Sequence, residues 1–319
     1  MVDVSIVIVC MNNLKNLYPC LNSIKKYTNK VTYETYVVAY LFSKENLEKL
    51  CCDFPWVTII ESKEIRGFSE NNNLALKLVK GRYCFVLNDD TELRMPVIDL
   101  LFDTIEKLPE DAAVISPRSV FGDGSFQSCG RDIHTTWKFI LSCLSLYSEM
   151  RYLKAFLNSK GTFETGDIVG AFFLIKTDLF RKVGFFDERY FFCPEDIALG
   201  YELRKLGYKH YVNSDVVIIH YEGMSGGTSL SMTRTATAPA STRGQLLFYA
   251  HGCKVQYLFL AFIKVLSLIP RFSYHKIRSF FYSNPNRFQI MALSDLHSIY
   301  ACFSAKSTKE LFLKFYQQR

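Results

Sequence analysis

The sequence contains no cysteine pair at C-x2-C spacing, no internal repeat, no glycine-rich basic loop behind its first apolar run, and almost no acid in its last quarter. Each absence removes a class of protein. Ten cysteines without metal-type spacing, two of them adjacent as Cys51-Cys52, argue against a zinc ribbon and for reduced thiols in a cytoplasmic protein. Met1-Val2-Asp3-Val4 places an acid where a signal peptide carries positive charge, so no export signal is expected. The longest apolar stretch, Val255–Ile269, contains Lys264 and falls short of the ~20 residues that span a bilayer, so no transmembrane helix is expected either.

What is present is a large core. Of 319 residues 49% are hydrophobic, ample for one large domain or a domain with an appendage. Charge is unevenly distributed. From Arg243 onward there are 11 Lys+Arg against 2 Asp+Glu, so the formal net charge of +7 divides into −2 before Arg243 and +9 from it to the end. Interleaved with Phe, Tyr and Leu, this basic tail suits an anionic membrane surface, although nucleic acid or an acidic partner would be attracted by the same charge.

Along the chain, Val4–Cys10 is a continuous Val- and Ile-rich run, as expected of a strand covered on both faces, and Leu14, Leu17, Leu21 and Ile24 follow at helical spacing. Strands are expected at Thr35–Phe42 and Val57–Ile60, with a short helix over Asn46–Cys52 between them. Right-handed crossovers then give a parallel sheet. Gly67-Phe68-Ser69-Glu70-Asn71-Asn72-Asn73 opens a helix whose cap is assigned to Gly81, and the strand from Tyr83 stops at Asn88-Asp89-Asp90. A helix over Pro96–Leu108, a strand over Ala113–Ser116, a turn or hairpin over Phe121–Gly130 and helical turns over Thr136–Asn158 come next. Asp167–Lys176 is expected as a strand carrying Gly170-Ala171, small residues that permit close approach of a ligand. A helix over Ile197–Leu206 closes at Gly207, Val216–Ile219 is a strand ending at His220, and Gly223–Arg243 reads as a loop rich in Gly, Ser and Thr. The remainder is helical, aromatic and basic.

Adjacent carboxylates at a strand end face the crevice where open α/β sheets bind ligands, and one or two such acids commonly hold a divalent cation with phosphate ligands. A solvated turn explains Asn88-Asp89-Asp90 equally well. Glu195-Asp196 reads either as a reactive pair in a pocket or as helix N-terminal acids favoured by the macrodipole. His220 reads as a ligand or an ordinary strand-end histidine.

As an ordered series these segments resemble an inverting glycosyltransferase of the GT-A fold, of the family-2 kind that includes bacterial rhamnosyl- and galactofuranosyltransferases. Val4–Cys10 corresponds to the opening strand, Gly67–Asn73 to the nucleotide-side segment and Asn88-x-Asp90 to the Asp-x-Asp metal motif. Val169-Gly170-Ala171 with Val183-Gly184-Phe185-Phe186-Asp187-Glu188 is similar to the acceptor-side signature, and Glu195-Asp196 and His220 to the Glu-Asp motif and the histidine that follows it. The resemblance implies an α/β GT-A domain over residues 1–242, with a mostly parallel Rossmann-like sheet and helices on both faces. A helical, basic and aromatic region over 243–319 would then either meet a membrane or cap the catalytic domain.

The same resemblance implies a nucleotide diphosphate sugar donor and a divalent cation, Mg or Mn, that neutralises the departing diphosphate. Asp90 is expected to coordinate it, His220 to complete the metal or phosphate shell, and Asp89 to meet the ribose or a metal-bound water; Asn88 replaces the acid often found first in the motif. Asp196 is the expected base for the acceptor hydroxyl, with Glu195 binding the acceptor or orienting the base. Arg66, Gly67, Asn71 and Asn73 belong to the nucleotide side, and Arg243 or Arg234 to a segment closing over the diphosphate. Tyr190, Phe191 and Phe192 read as sugar-stacking residues or as core. One departure stands out: relatives carry a base-reading acid after the second strand, whereas Val37-Val38-Ala39-Tyr40-Leu41-Phe42-Ser43 has none, leaving Tyr40 to stack on the base.

The expected acceptor is a glycan hydroxyl, on a polyprenyl-diphosphate carrier, in O-antigen, capsule or cell-wall polysaccharide synthesis at the cytoplasmic face of the plasma membrane. No nucleic-acid partner is expected, and homo-oligomerisation is left open. The competing reading is a non-catalytic glycan-binding or scaffolding protein on a degenerate GT-A fold, which the missing acid favours. A sugar-phosphate nucleotidyltransferase is disfavoured, because Cys10-Met11-Asn12-Asn13-Leu14 lacks the glycine-rich basic loop of that chemistry.

Overall fold

The computed structural model describes residues 2–148, 156–221, 233–281 and 285–317. The chain divides into two compact units, Met1–Ile133 with Glu149–Asp187 and Asp196–Gly226, and His134–Ser148 with Glu188–Glu195 and Gly227–Arg319. The second unit is thus more than a tail beginning at residue 243: it also recruits two earlier segments.

The strands of the first unit are β1 (Val4–Met11), β2 (Tyr33–Tyr40), β3 (Thr58–Ser62), β4 (Tyr83–Asn88), β5 (Thr91–Leu93), β6 (Ala112–Val120), β7 (Phe126–Ser128), β8 (Thr162–Thr165), β9 (Phe172–Lys176) and β10 (Lys209–His220). They form one sheet in the order β3-β2-β1-β4-β9-β6-β10-β5, with β7 beside β6 and β8 beside β10. The ladders β1–β2, β2–β3, β1–β4 and β6–β10 are parallel, and β9 lies antiparallel between β4 and β6. The carboxyl ends of β1, β2, β4, β6 and β10 therefore share one edge of the sheet with the start of β9.

Burial on both faces explains the unbroken apolar runs. Ile6 and Ile8 of β1, Phe85 and Leu87 of β4 and Leu174 of β9 pack on one side, with Leu17, Leu21 and Ile24 of α1 (Leu14–Tyr27) and Leu101 of α4 (Val97–Ile105). Val7, Val86 and Phe173 point the other way, against Leu76 of α3 (Phe68–Leu76), Phe180 of α6 (Thr177–Lys182) and Leu203 of α7 (Glu195–Lys205). Strand alternation thus supplies two cores from one sheet. The helix α2 (Lys44–Asp53) completes the β-α-β-α-β opening.

Several expectations change. Thr91–Leu93, unassigned between the strand from Tyr83 and the helix from Pro96, is strand β5, because it pairs antiparallel with the end of β10. The strand expected over Asp167–Lys176 begins only at Phe172, and the one expected over Val216–Ile219 runs 12 residues with a register shift between Asn213 and Val217. Gly81 does not cap α3, which ends at Leu76; a Cβ there would lie 2.5 Å from the Ser5 amide nitrogen, so close strand approach requires glycine. Within the expected loop over Gly223–Arg243, the part from Arg234 is helical, and residues 222–232 lie outside the described ones. Of the helical turns expected over Thr136–Asn158, residues 149–155 likewise lie outside them.

The second unit contains α5 (Thr136–Cys143), α8 (Arg234–Tyr249), α9 (Lys254–Phe281), α10 (Pro285–Phe303) and α11 (Thr308–Tyr316). Phe139 of α5 stacks on Tyr249 at 4.5 Å, and Phe191 stacks on Phe312 of α11 at 4.3 Å. α9 is two-faced: Leu260, Ala261 and Leu268 are buried, while Val255, Phe259, Phe262, Ile277 and Phe280 are exposed. Its 28 residues include an 18-residue window of mean hydropathy 1.5. Among the described residues it is the one helix long and apolar enough, by length and composition, to cross a membrane. Lys264 and Arg271 interrupt the apolar run without interrupting the helix, since Lys and Arg are good helix formers.

Candidate active site

Local hydrogen bonding sets the geometry at the end of β4. The Asn88 amide donates to the Ala171 carbonyl at 2.8 Å, and the Asn88 carbonyl accepts from Thr91 Oγ1 at 2.7 Å. The chain turns between these two bonds and presents Asp89 and Asp90, both buried. Asp89 is hydrogen-bonded to the Cys10 thiol at the end of β1; burial, and then that carboxylate, push the thiol far above its ordinary range. Asp90 faces the end of β10. Pairing of His220 with Thr91 brings the two strands into register, the Tyr221 amide donates to the Asp90 carbonyl at 2.9 Å, and His220 Nε2 lies 3.3 Å from Asp90 Oδ1.

The other ring nitrogen of His220 lies 3.2 Å from Gln127 Oε1 on β7. An amide oxygen only accepts, so this contact puts a proton on Nδ1 and leaves the Nε2 lone pair towards Asp90 in the neutral ring. Two electron-pair donors at such a distance repel unless a proton or cation lies between them. In an octahedral shell with Mg-type bonds, neighbouring ligand atoms are about 3 Å apart, so this pair fits two adjacent positions. Among the described residues no third His, Cys, Asp or Glu joins them. The remaining ligands would be phosphate oxygens and water, the usual pattern for Mg.

The Asp196 carboxylate is held by three donors. Arg131 Nη1 reaches Oδ2 at 2.8 Å, the Gly170 amide reaches the same oxygen at 3.3 Å, and the Ile197 amide reaches Oδ1 at 2.8 Å. A Cβ on residue 170 would lie 3.0 Å from Asp196 Cβ, so the close approach that Gly170 permits is made by this carboxylate. Gly170 and Ala171 lie in a turn ahead of β9, not inside the strand. The two acids are tied to one place: Asn88 bonds to Ala171, and its neighbour Gly170 bonds to Asp196. His220 extends the cluster, its ring 5.5 Å from Phe172 and edge-on to it.

A buried polar support lies behind this turn. Asp167 is wholly buried and pairs with Arg204 of α7, which also donates to the Gly166 carbonyl. His210 Nδ1 lies 3.3 Å from that carbonyl, and burial, followed by Arg204, lowers its pKa to about 4. Arg131 pairs in a short bridge with Asp167. Arg131 and Gln127 were absent from the sequence-based site, because neither stands in a recognisable pattern: Gln127 is in a short edge strand and Arg131 follows a turn.

On the nucleotide side, the Tyr40 hydroxyl at the end of β2 accepts from the Arg66 amide at 3.3 Å. The Arg66 guanidinium meets Ser62 at 3.2 Å and Glu64 at 2.8 Å. Gly67 caps α3, where Glu70 returns to its amide at 3.0 Å. Asn71 accepts from Ser62 at 2.7 Å and donates to the Arg66 carbonyl at 3.2 Å. Asn73 clasps the Phe186 backbone through both ends of its amide, at 2.8 and 3.2 Å. The last two are therefore joints of the scaffold as it stands, and Arg66 is partly neutralised. Glu195 and Arg243 belong to the second unit: Glu195 is buried, and Arg243 hydrogen-bonds and stacks on Tyr257, its guanidinium 4.8 Å from the ring centre. Tyr190 and Phe191 are buried there too, as packing residues.

Comparison with known proteins identifies the family and the fold. Residues 5–184 match the family described as Glycosyl transferase family 2. The O-antigen biosynthesis protein RfbC of Myxococcus xanthus is 24% identical over 216 residues, 65% of this chain but only 15% of that protein. Among solved structures, GalNAc-T7 with UDP, GalNAc and Mn2+ superposes with a TM-score of 0.54 and 16% identity, over 73% of this chain and 46% of that one. The mannosyltransferase PcManGT of Pyrobaculum calidifontis, in complex with GDP-Man and Mn2+, gives 0.53 and 12%, over 93% and 87%. At these identities the structural likeness establishes the fold, a GT-A fold, and the chain spans only a small part of its curated relative.

Proposed function

Since the chain belongs to glycosyl transferase family 2, we propose that it moves a sugar from a nucleotide diphosphate sugar to a glycan hydroxyl with inversion, in the synthesis of a surface polysaccharide. The observation that carries this reading is the bonded path Asn88–Ala171, Gly170–Asp196, which sets Asp196 at the sheet edge that also carries the Asp90–His220 pair. Asp90 and His220 would hold a divalent cation, which when bound supplies charge to offset the departing diphosphate. Asp196 takes the proton of the attacking hydroxyl, and that proton transfer is expected to contribute on the order of 10²–10⁴ in rate. Arg131 and the Gly170 amide fix the orientation of that carboxylate.

Binding of GDP-Man by PcManGT and of UDP by GalNAc-T7 supports a nucleotide-linked donor here. The O-antigen role named for RfbC supports a polysaccharide product. A lipid-linked acceptor at an anionic membrane surface accords with α9, where Val255, Phe259, Phe262 and Phe280 are exposed and Lys276 and Arg278 stand beside them. Two observations favour a glycan-binding protein without catalysis: β2 ends at Tyr40 with no acid directly after it, and Asp196 is already ion-paired. Asp196→Asn distinguishes the two. Transfer of radiolabelled sugar from a panel of nucleotide sugars should fall at least about 10²-fold while donor binding persists; transfer that is undiminished in the variant would refute the assignment.

A further inference from the structure

The helical unit contains a cavity of about 370 Å³ whose chemistry is foreign to a helix-bundle core. Three helices line it. α8 contributes Arg234, α9 contributes Lys264 and Arg271 two turns apart, and α10 contributes Asp295, the only carboxylate of the lining. Asp295 is already engaged, by His275 at 2.8 Å and by Arg271 at 3.1 Å. Among the described residues, no carboxylate lies within ion-pair distance of Arg234 or Lys264, and burial lowers the Lys264 pKa. The Lys264 ammonium lies 5.5 Å from the centre of the Phe139 ring. Ser294 and Ser298 turn their protons back to carbonyls of their own helix, at 2.7 and 2.8 Å. The cations share the lining with the Gln245 amide and the Ser241 and Thr242 hydroxyls.

Arg234 and Lys264 are both drawn partly out of water, and a partly desolvated cation without an ion-pair partner gains the bundle nothing. Apolar residues of the same volume would serve the fold better. Two charges without partners call for a ligand with two negative charges, and a guanidinium with an ammonium suits phosphoryl oxygens. We propose that this cavity is a binding site for a phosphate or diphosphate ester, separate from the acids of the first unit. The inference does not depend on the transferase reading, because it concerns binding alone.

The test uses the full chain in EDTA, so that metal-dependent donor binding does not contribute. Inorganic pyrophosphate, followed by calorimetry and by thermal melting, is expected to bind and to raise the melting temperature. Lys264→Met and Arg234→Gln should each weaken that binding by about tenfold or more. Lys264→Met should at the same time leave the unliganded protein as stable or more stable, which separates a lost ligand contact from a damaged fold. Asp90→Asn should bind pyrophosphate as the parent does. If the ester is carried on a lipid, farnesyl diphosphate in detergent micelles will compete with pyrophosphate and farnesol will not; if it is soluble, pyrophosphate will bind at least as tightly as farnesyl diphosphate. Failure of pyrophosphate to bind, or equal binding by both cavity variants, would overturn the proposal.

Discussion

Acidification should loosen the first unit through His210 before most carboxylates titrate. The ring is buried, its Nδ1 faces the Gly166 carbonyl, and its Nε2 has no hydrogen-bond partner among the described residues, so a proton there would be an unsolvated charge. Asp167 opposes this by attracting the proton, but burial outweighs it and Arg204 repels it, which holds the folded pKa near 4 against an ordinary 6.5. Between those values the unfolded chain binds a proton that the folded chain refuses. Stability therefore rises with pH across this window, is fully present above about 6.5, and is lost as pH falls towards 4. At ~1.4 kcal/mol per pH unit the loss amounts to about 3 kcal/mol. With a urea m-value of about 3 kcal/mol/M, that is a fall of about 1 M in the unfolding midpoint. Trp56 and Trp137 are the only tryptophans, so a Trp137→Phe background leaves Trp56 to report the unit that contains His210. Midpoints measured from pH 4.5 to 7.5 should fall much less steeply in His210→Gln than in the parent. Equal slopes would refute the idea that His210 is held neutral by burial.

Two further outcomes follow from contacts around the candidate site. A methyl group on residue 200 would lie 2.2 Å from Asp167 Oδ1, against the Arg204 pair, so Gly200→Ala should cost about 1–3 kcal/mol in chemical denaturation; an unchanged midpoint would mean that α7 shifts freely. Gln127→Leu removes the acceptor that places the His220 proton on Nδ1 and should weaken Mn2+ affinity by about 10–100-fold, with stability nearly constant, as read by a Mn2+ titration in the presence of nucleotide.

How far the sequence revealed this arrangement depended on whether each feature is local. The β-α-β-α-β opening was legible because hydrophobic period and strand burial are written into neighbouring residues: Ile6 and Ile8 serve one core, Val7 the other. Antiparallel β9 and the short β5 were not, since their pairing depends on strands far along the chain. The same distinction divides the site. Asp90, His220 and Asp196 stand in ordered motifs, whereas Arg131 meets Asp196 across 65 residues and Gln127 meets His220 across 93. Asn71 and Asn73, which the resemblance assigns to the nucleotide side, have amides that bond to Ser62, the Arg66 carbonyl and Phe186 across elements that the sequence does not bring together.

The polar support behind the Gly170 turn links these observations. Arg131 bridges to Asp167 through its backbone and to Asp196 through its side chain, so the same residue joins the buried Asp167–Arg204–His210 group to the candidate base. A buried ion pair is a poor source of stability, because desolvation offsets its attraction. Its value here is geometric: Asp167 and Arg204 hold the Gly166 turn, the turn carries the Gly170 amide, and that amide and Arg131 orient the carboxylate. Positioning of a proton acceptor is sensitive to shifts of about 1 Å, which a group of interlocked charges resists better than an apolar patch does. That is a physical reason for placing an ion pair with wholly buried Asp167, at some cost in stability, behind a site whose candidate base comes from a helix end.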